Sequence, residues 1–167
     1  MKKNELIELL KTTKRNLIVM VGPPASGKST FINSISEYLD DTISSDDLVM
    51  ELGGGLSYKE SYRQANFKNI RHLIREKIND TCDEDLNISI DMMNVSVKSR
   101  KVFIKKYKTF NKIAVITKVE DKKVLLERNE RRSIEEDKFI PEHVIDTMLS
   151  KYKAPTREEG FDHIVRL

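Results

Sequence analysis

The run Gly22-Pro23-Pro24-Ala25-Ser26-Gly27-Lys28-Ser29, followed by Thr30, matches the pattern G-x-x-x-x-G-K-S/T. Its residue types suit the binding of a polyphosphate. Glycines at 22 and 27 allow backbone geometries and close approaches that a Cβ would block. Successive N–H groups then form an anion nest, and the helix that follows presents its positive dipole end. Lys28 is placed to neutralise the outer phosphates, and Ser29 to put its hydroxyl on a magnesium ion. The alternative, a chance match in a glycine turn, is opposed by context. The loop leaves an apolar run, Asn16 to Val21, and opens a segment with helical periodicity, as the motif requires.

Carboxylates and arginines follow at spacings that could complete a phosphoryl-transfer site. Thr42-Ile43-Ser44-Ser45-Asp46-Asp47 places acids just after a short apolar segment. Strand ends on one edge of a parallel sheet converge, and a carboxylate there can take the proton of an attacking hydroxyl. Helix capping by Ser45 or Asp46 is the competing reading, and both can hold. Asn87-Ile88-Ser89-Ile90-Asp91 ends in a second carboxylate. Asp91 is either a magnesium partner, directly or through water, or a strand-end turn residue. Arg128 and Arg132, four apart, share a helix face and precede an acidic stretch from Ser133 to Ile140. They read as a lid over about residues 128–140, or as a surface network with Glu127 and Glu135. Lys98, Arg100, Lys101, Lys105, Lys106 and Lys108 make one helix strongly basic, and a solvated helix face is the better reading for most of its lysines.

The elements needed to position these groups are visible in the periodicity. Strands are predicted over 16–21, 42–45, 87–91, 112–118 and 163–166. Helices are predicted over 4–14, 28–38, 48–52, 58–80, 97–107, 121–131 and 141–152. Strands alternating with helices predict an α/β fold, a three-layer sandwich with a parallel β-sheet flanked by helices. The 167 residues fit one domain, 1–167. With 30 basic and 27 acidic residues, the net charge of +3 permits a polyanionic partner without demanding one. Cys82 is the only cysteine, so no intrachain disulfide can form, and a reducing compartment is expected. No signal-peptide pattern and no bilayer-length apolar run is present, so a cytoplasmic protein without a membrane partner is expected.

Gly22 to Thr30, Ser45-Asp46-Asp47, Asp91-Met92-Met93-Asn94 with Arg100, and Arg128 to Arg132 occur in an order that resembles bacteriophage-type 5′-hydroxyl polynucleotide kinases. These are P-loop kinases of the AAA-type, zeta-toxin-like group. The tail from Val144 to Tyr152 and the stretch from Pro155 to Asp162 resemble them too, so the likeness spans about residues 16–166. The resemblance implies a P-loop NTPase fold of kinase type, with ATP or another nucleoside triphosphate and Mg2+ as cofactors. It implies Asp46 as the general base, Lys28 and Ser29 as phosphate and magnesium groups, and Asp91 as an active-site acid. Arg132 would be the lid arginine and Arg128 its partner. The expected acceptor is the 5′-hydroxyl end of RNA or DNA. Such kinases place an arginine three residues after the base, to grip the acceptor's phosphate, and here Val49 stands there. Arg63, Arg71, Arg75 and Arg100 are candidate replacements. Loss of that arginine favours a second acceptor class, namely a nucleoside, nucleotide, nucleotide-sugar or modified base. A third reading is an ATPase or nucleotide switch without an acceptor. The chain stops short of the phosphatase domain of bifunctional relatives, so no phosphatase activity is expected of it.

Overall fold

The computed structural model describes all 167 residues. Its strands are β1 (Asn16–Val21), β2 (Asp41–Ser44), β3 (Asn87–Asp91), β4 (Asn111–Ile116) and β5 (His163–Arg166). They form one parallel sheet in the order β2-β3-β1-β4-β5. The helices are α1 (Lys3–Thr12), α2 (Lys28–Asn33), α3 (Ser45–Leu52), α4 (Tyr58–Gln64), α5 (Phe67–Thr81), α6 (Val97–Lys106), α7 (Lys122–Glu135) and α8 (Glu142–Lys151).

β1 is central because it carries no charge and is buried on both faces along its whole length. Leu17, Val19 and Val21 pack into a core with Ile78 of α5 and Phe103 of α6. Ile18 and Met20 pack on the other side, against Leu6 and Leu10 of α1 and Phe31 and Ile32 of α2. Each such aliphatic burial contributes about 1.5–3 kcal/mol, so the strand that delivers the glycine loop is the best-anchored element. The result is the expected three-layer sandwich with the P-loop NTPase kinase fold.

The ends of the sheet are built differently. At the N-terminal end, Asn16 pairs in register with Asn87 and Asn111. Its Nδ2 donates to Asn87 Oδ1 at 2.8 Å, and Asn111 Nδ2 donates to its Oδ1 at 3.1 Å. Asn87 Nδ2 donates to the carbonyls of Leu10 and Tyr38. These amides satisfy one another, which is what buried polar groups require. At the C-terminal end, β1 runs into the glycine loop and β3 ends in Asp91, so the loop and a carboxylate collect there.

Element boundaries depart from the periodicity at several places. The helix expected over 28–38 stops at Asn33. The Ser34 hydroxyl bonds the Phe31 carbonyl at 2.7 Å, competing with the backbone ladder, and a 3-10 turn over Ser36–Tyr38 follows. The helix expected over 58–80 is two helices. Ala65 is extended, and the Asn66 side chain accepts from the N–H groups of Lys68 and Asn69, capping α5. α3 begins at Ser45, not Leu48, and its cap is Ser44, not Ser45 or Asp46; the Ser44 hydroxyl accepts from Asp47 N at 3.2 Å. α7 runs on to Glu135, so the first three residues of the segment expected as a loop after Arg132 are helical. Pro141 precedes α8 as its cap rather than lying inside its first turn.

Candidate active site

The glycine loop runs from the end of β1 into α2. Gly22 N donates to the Met93 carbonyl at 3.0 Å, tying the loop to the segment after β3. A Cβ on Gly22 would collide with the hydroxyls of Thr117 and Ser26. Those hydroxyls bond each other at 2.7 Å, so Thr117, at the end of β4, buttresses the loop. Ala25 and Gly27 have φ of 58° and 89°. Left-handed residues inside such a turn aim consecutive N–H groups inward, the geometry of an anion nest. Pro23, Pro24 and Ser26 are buried and Ala25 is half-buried, whereas Ser29 and Thr30 at the start of α2 are exposed.

Lys28 Nζ donates to the Pro23 carbonyl at 2.7 Å. Burial pulls its pKa down to about 8, against the opposing pull of Asp91 and Asp46; Arg132 and Lys138 lower it further. Three segments far apart in sequence therefore surround one ammonium. Asp91 ends β3, opposite Ser44 of β2 in register. Burial raises its pKa, while the Ser29 hydroxyl and Lys28 pull it back. Ser29 and Asp91 offer hard oxygen donors side by side. That donor set fits Mg2+, which takes few protein ligands and completes its shell with water and phosphate oxygens.

Asp46 lies in the first turn of α3. Tyr62 donates to its Oδ1, Tyr58 donates to its Oδ2 at 3.4 Å, and the Lys138 ammonium pairs with Oδ2. Burial pushes the Asp46 carboxyl up, but Lys138, Tyr62 and Arg132 together hold it below the usual aspartate range. The same contacts push the Tyr58 and Tyr62 phenols up, burial first and the Asp46 charge second. Asp46 is therefore ionised at neutral pH and its phenol partners are protonated.

Arg128 and Arg132 both point to this region. Arg128 pairs with Glu120 and reaches the Ala25 carbonyl of the glycine loop at 3.5 Å. Arg132 pairs with Glu136 at 3.4 Å and adds its charge to both Lys28 and Asp46. The network expected with Glu127 and Glu135 uses other cations: Lys123 pairs with Glu127 and Arg131 with Glu135. Beyond α7, Asn129 clips the chain by bonding both N and O of Ile140, at 3.0 and 2.8 Å. The Asp137 carboxylate accepts from Lys59 N at the start of α4. That double attachment carries Lys138 to Asp46.

Two expectations about the acceptor side change. Arg100 is not free to replace the cation missing at position 49. Its guanidinium is wholly buried, bonded to Glu159 at 2.8 and 2.6 Å and to the carbonyls of Asn94 and Lys153. Val49 itself is buried with Leu48 and Ile70, so position 49 belongs to the core. Asn94 is structural too, bonding the Met20 and Met92 carbonyls. Sequence reasoning missed Lys138, Tyr58, Tyr62 and Thr117. Only the i,i+4 spacing of the tyrosines, which sets them on one helix face, signalled any of them.

A family model described as an AAA domain matches residues 17–155. Among curated proteins, none matches the chain in sequence. Among solved structures, the chain is similar to Chaetomium thermophilum Kti12 in complex with ADP-AlF3. Identity is 18%, the TM-score is 0.68, and 91% of this chain and 88% of that one are covered. It is similar to a chain of the Pnkp1/Rnl/Hen1 RNA repair complex at 23% identity and TM-score 0.66, covering 83% of this chain and 44% of that one. It is also similar to a gluconokinase from Sinorhizobium meliloti at 16% identity and TM-score 0.57, covering 93% and 83%. At these identities the likeness is one of fold. No helix is long and apolar enough to cross a membrane.

Proposed function

The chain belongs to the AAA domain family, and from that premise and the geometry of its site we propose that it is an ATP-dependent phosphotransferase acting on a hydroxyl acceptor. What supports this reading is the Asp46 carboxylate, which is held by Lys138, Tyr58 and Tyr62 and whose charge acts on Lys28 of the glycine loop. A nucleotide switch needs the lysine but has no use for the carboxylate.

The glycine loop, Gly22 to Thr30, holds the phosphates of ATP or another nucleoside triphosphate. Ser29 and Asp91 would hold Mg2+, which would supply charge neutralisation to the bound phosphates. The acceptor hydroxyl oxygen attacks the γ-phosphorus in line. A new O–P bond forms, the bond to the nucleoside diphosphate breaks, and the hydroxyl proton passes to Asp46. Lys28, Arg132 and its neighbour Arg128 offset the charge that spreads over the transferring group. Residues 128–140 act as a lid over the transferring group. Lys138 has to yield its carboxylate oxygen when the acceptor hydroxyl takes that place.

The leading acceptor is the 5′-hydroxyl end of RNA or DNA, in a cytoplasmic setting. The resemblance in motif order supports it. The burial of Val49 favours a second reading, a nucleoside, nucleotide or nucleotide-sugar acceptor, because nothing at that position can grip an acceptor phosphate. Labelled ATP, magnesium, 5′-hydroxyl oligonucleotides and a panel of small acceptors decide between them. Label on the oligonucleotide supports the first reading, and label on a small molecule alone replaces it with the second. Hydrolysis without any acceptor, indifferent to Asp46→Asn, would sink both.

A further inference from the structure

α4 and the start of α5 carry a line of aromatic rings that begins at Asp46 and ends in solvent. Tyr58 and Tyr62 have ring centroids 4.5 Å apart, and both phenols donate to the Asp46 carboxylate. The Tyr62 ring lies 5.9 Å from that of Phe67, which is 47% exposed. A single exposed phenylalanine is ordinary on a protein surface. Phe67 is different in position, because it continues a line of mutually tilted rings whose inner end is the candidate base.

The same two helices expose Lys59, Arg63 and Lys68. None of the three makes an ion pair. The acid among them, Glu60, is engaged by the Ser57 hydroxyl at 3.1 Å. Rings interleaved with unpaired cations are the chemistry of a single-strand surface: bases stack on the rings and phosphates meet the cations. A small aliphatic polyol would use neither.

We propose that α4 and the first turn of α5 form a platform for single-stranded nucleic acid behind the reacting end. The exposed Phe67 ring stacks a base, and Arg63 and Lys68 hold phosphates. The proposal rests on the phosphotransferase reading of Asp46 and fixes its acceptor class. The basic helix α6 is the control, since it meets α5 at the far end, where Lys106 bonds Asn79.

The test is a fluorescence-anisotropy titration of the full chain with a 3′-labelled, 5′-hydroxyl DNA single strand of about ten nucleotides, within the usual single-strand site size. Phe67→Ala is expected to weaken binding about tenfold. The double variant Arg63→Ala/Lys68→Ala is expected to weaken it and flatten the salt slope by about 0.7 for each phosphate that is no longer neutralised. Lys101→Ala/Lys105→Ala on α6 should change neither, and ATP affinity should be equal in all four proteins. Unmoved affinity in the platform variants, an equal loss in the α6 variant, or no binding to the wild type at low salt would overturn the proposal. Transfer that needs Asp46 but ignores Phe67 would refute the platform alone. Binding that needs Phe67 without transfer to any acceptor would keep the platform and sink the phosphotransferase reading.

Discussion

Two of the ion pairs that join distant parts of this chain are built on opposite plans. Arg100 and Glu159 are 0% and 9% exposed. The guanidinium forks onto the carboxylate and directs its remaining donors to two carbonyls, while Glu159 also accepts from Thr156 N. Burial closes the guanidinium to any ligand. Lys138 and Asp46 are 18% and 34% exposed, at the C-terminal edge of the sheet. Lys138 is a point charge at the end of a flexible stem, and its partner is shared with two phenols. The first pair is a rivet and the second an exchangeable contact. Both pair a cation with a carboxylate far away in sequence, so geometry and spare bonding capacity make the distinction.

That contrast is sharpest in stability. Arg100→Ala strands a buried carboxylate and should cost about 3–5 kcal/mol, read as a fall in the urea midpoint. Arg100→Lys should recover only part of it, because an ammonium cannot reproduce the fork. Equal stability of the wild type and Arg100→Ala would erase the distinction between the pairs.

The site should instead be maintained at some expense to stability. Lys28 has its folded pKa lowered to about 8 by burial, from an ordinary value of 10.5. Its charged form is therefore disfavoured in the fold. The cost is fully present below pH 8 and is recovered as pH rises from about 8 toward 10.5. Lys28→Met should stabilise the nucleotide-free protein at pH 7 by on the order of 1–3 kcal/mol while abolishing transfer. Thermal melts at pH 7 and pH 10 check this, and the gain should shrink at the higher pH.

Lys138→Ala should change stability by less than about 1 kcal/mol, since the pair is partly exposed. Its signature is kinetic. Lys138 helps to hold Asp46 below the usual aspartate range, so its loss should move the acid limb of the kcat/KM profile to higher pH. Tyr62→Phe should move that limb in the same direction by a smaller amount. An unmoved acid limb in both would remove Asp46 from the role of base.

Much of the sheet was legible because parallel strands buried on both faces read as unbroken apolar runs, as Asn16 to Val21 does. The glycine loop was legible because its chemistry demands fixed residues at fixed spacing. The break at Ala65-Asn66 was not, because no glycine or proline marks it and a capping asparagine looks like any other polar residue. Arg100 and Arg132 both read as cations near candidate acids, and only burial separates a clamp from a site residue. Lys138 sits in an acidic stretch with no periodicity. Its placement depends on Asn129 and Asp137, contacts that sequence spacing does not encode.

The most direct measurement is single-turnover transfer from labelled ATP to a 5′-hydroxyl oligonucleotide by the wild type and Asp46→Asn, with ATP affinity measured alongside. The account predicts unchanged ATP binding and a transfer rate lower by roughly 100- to 10,000-fold, the range for loss of a general base. Equal transfer by both proteins would contradict it, whatever the acceptor.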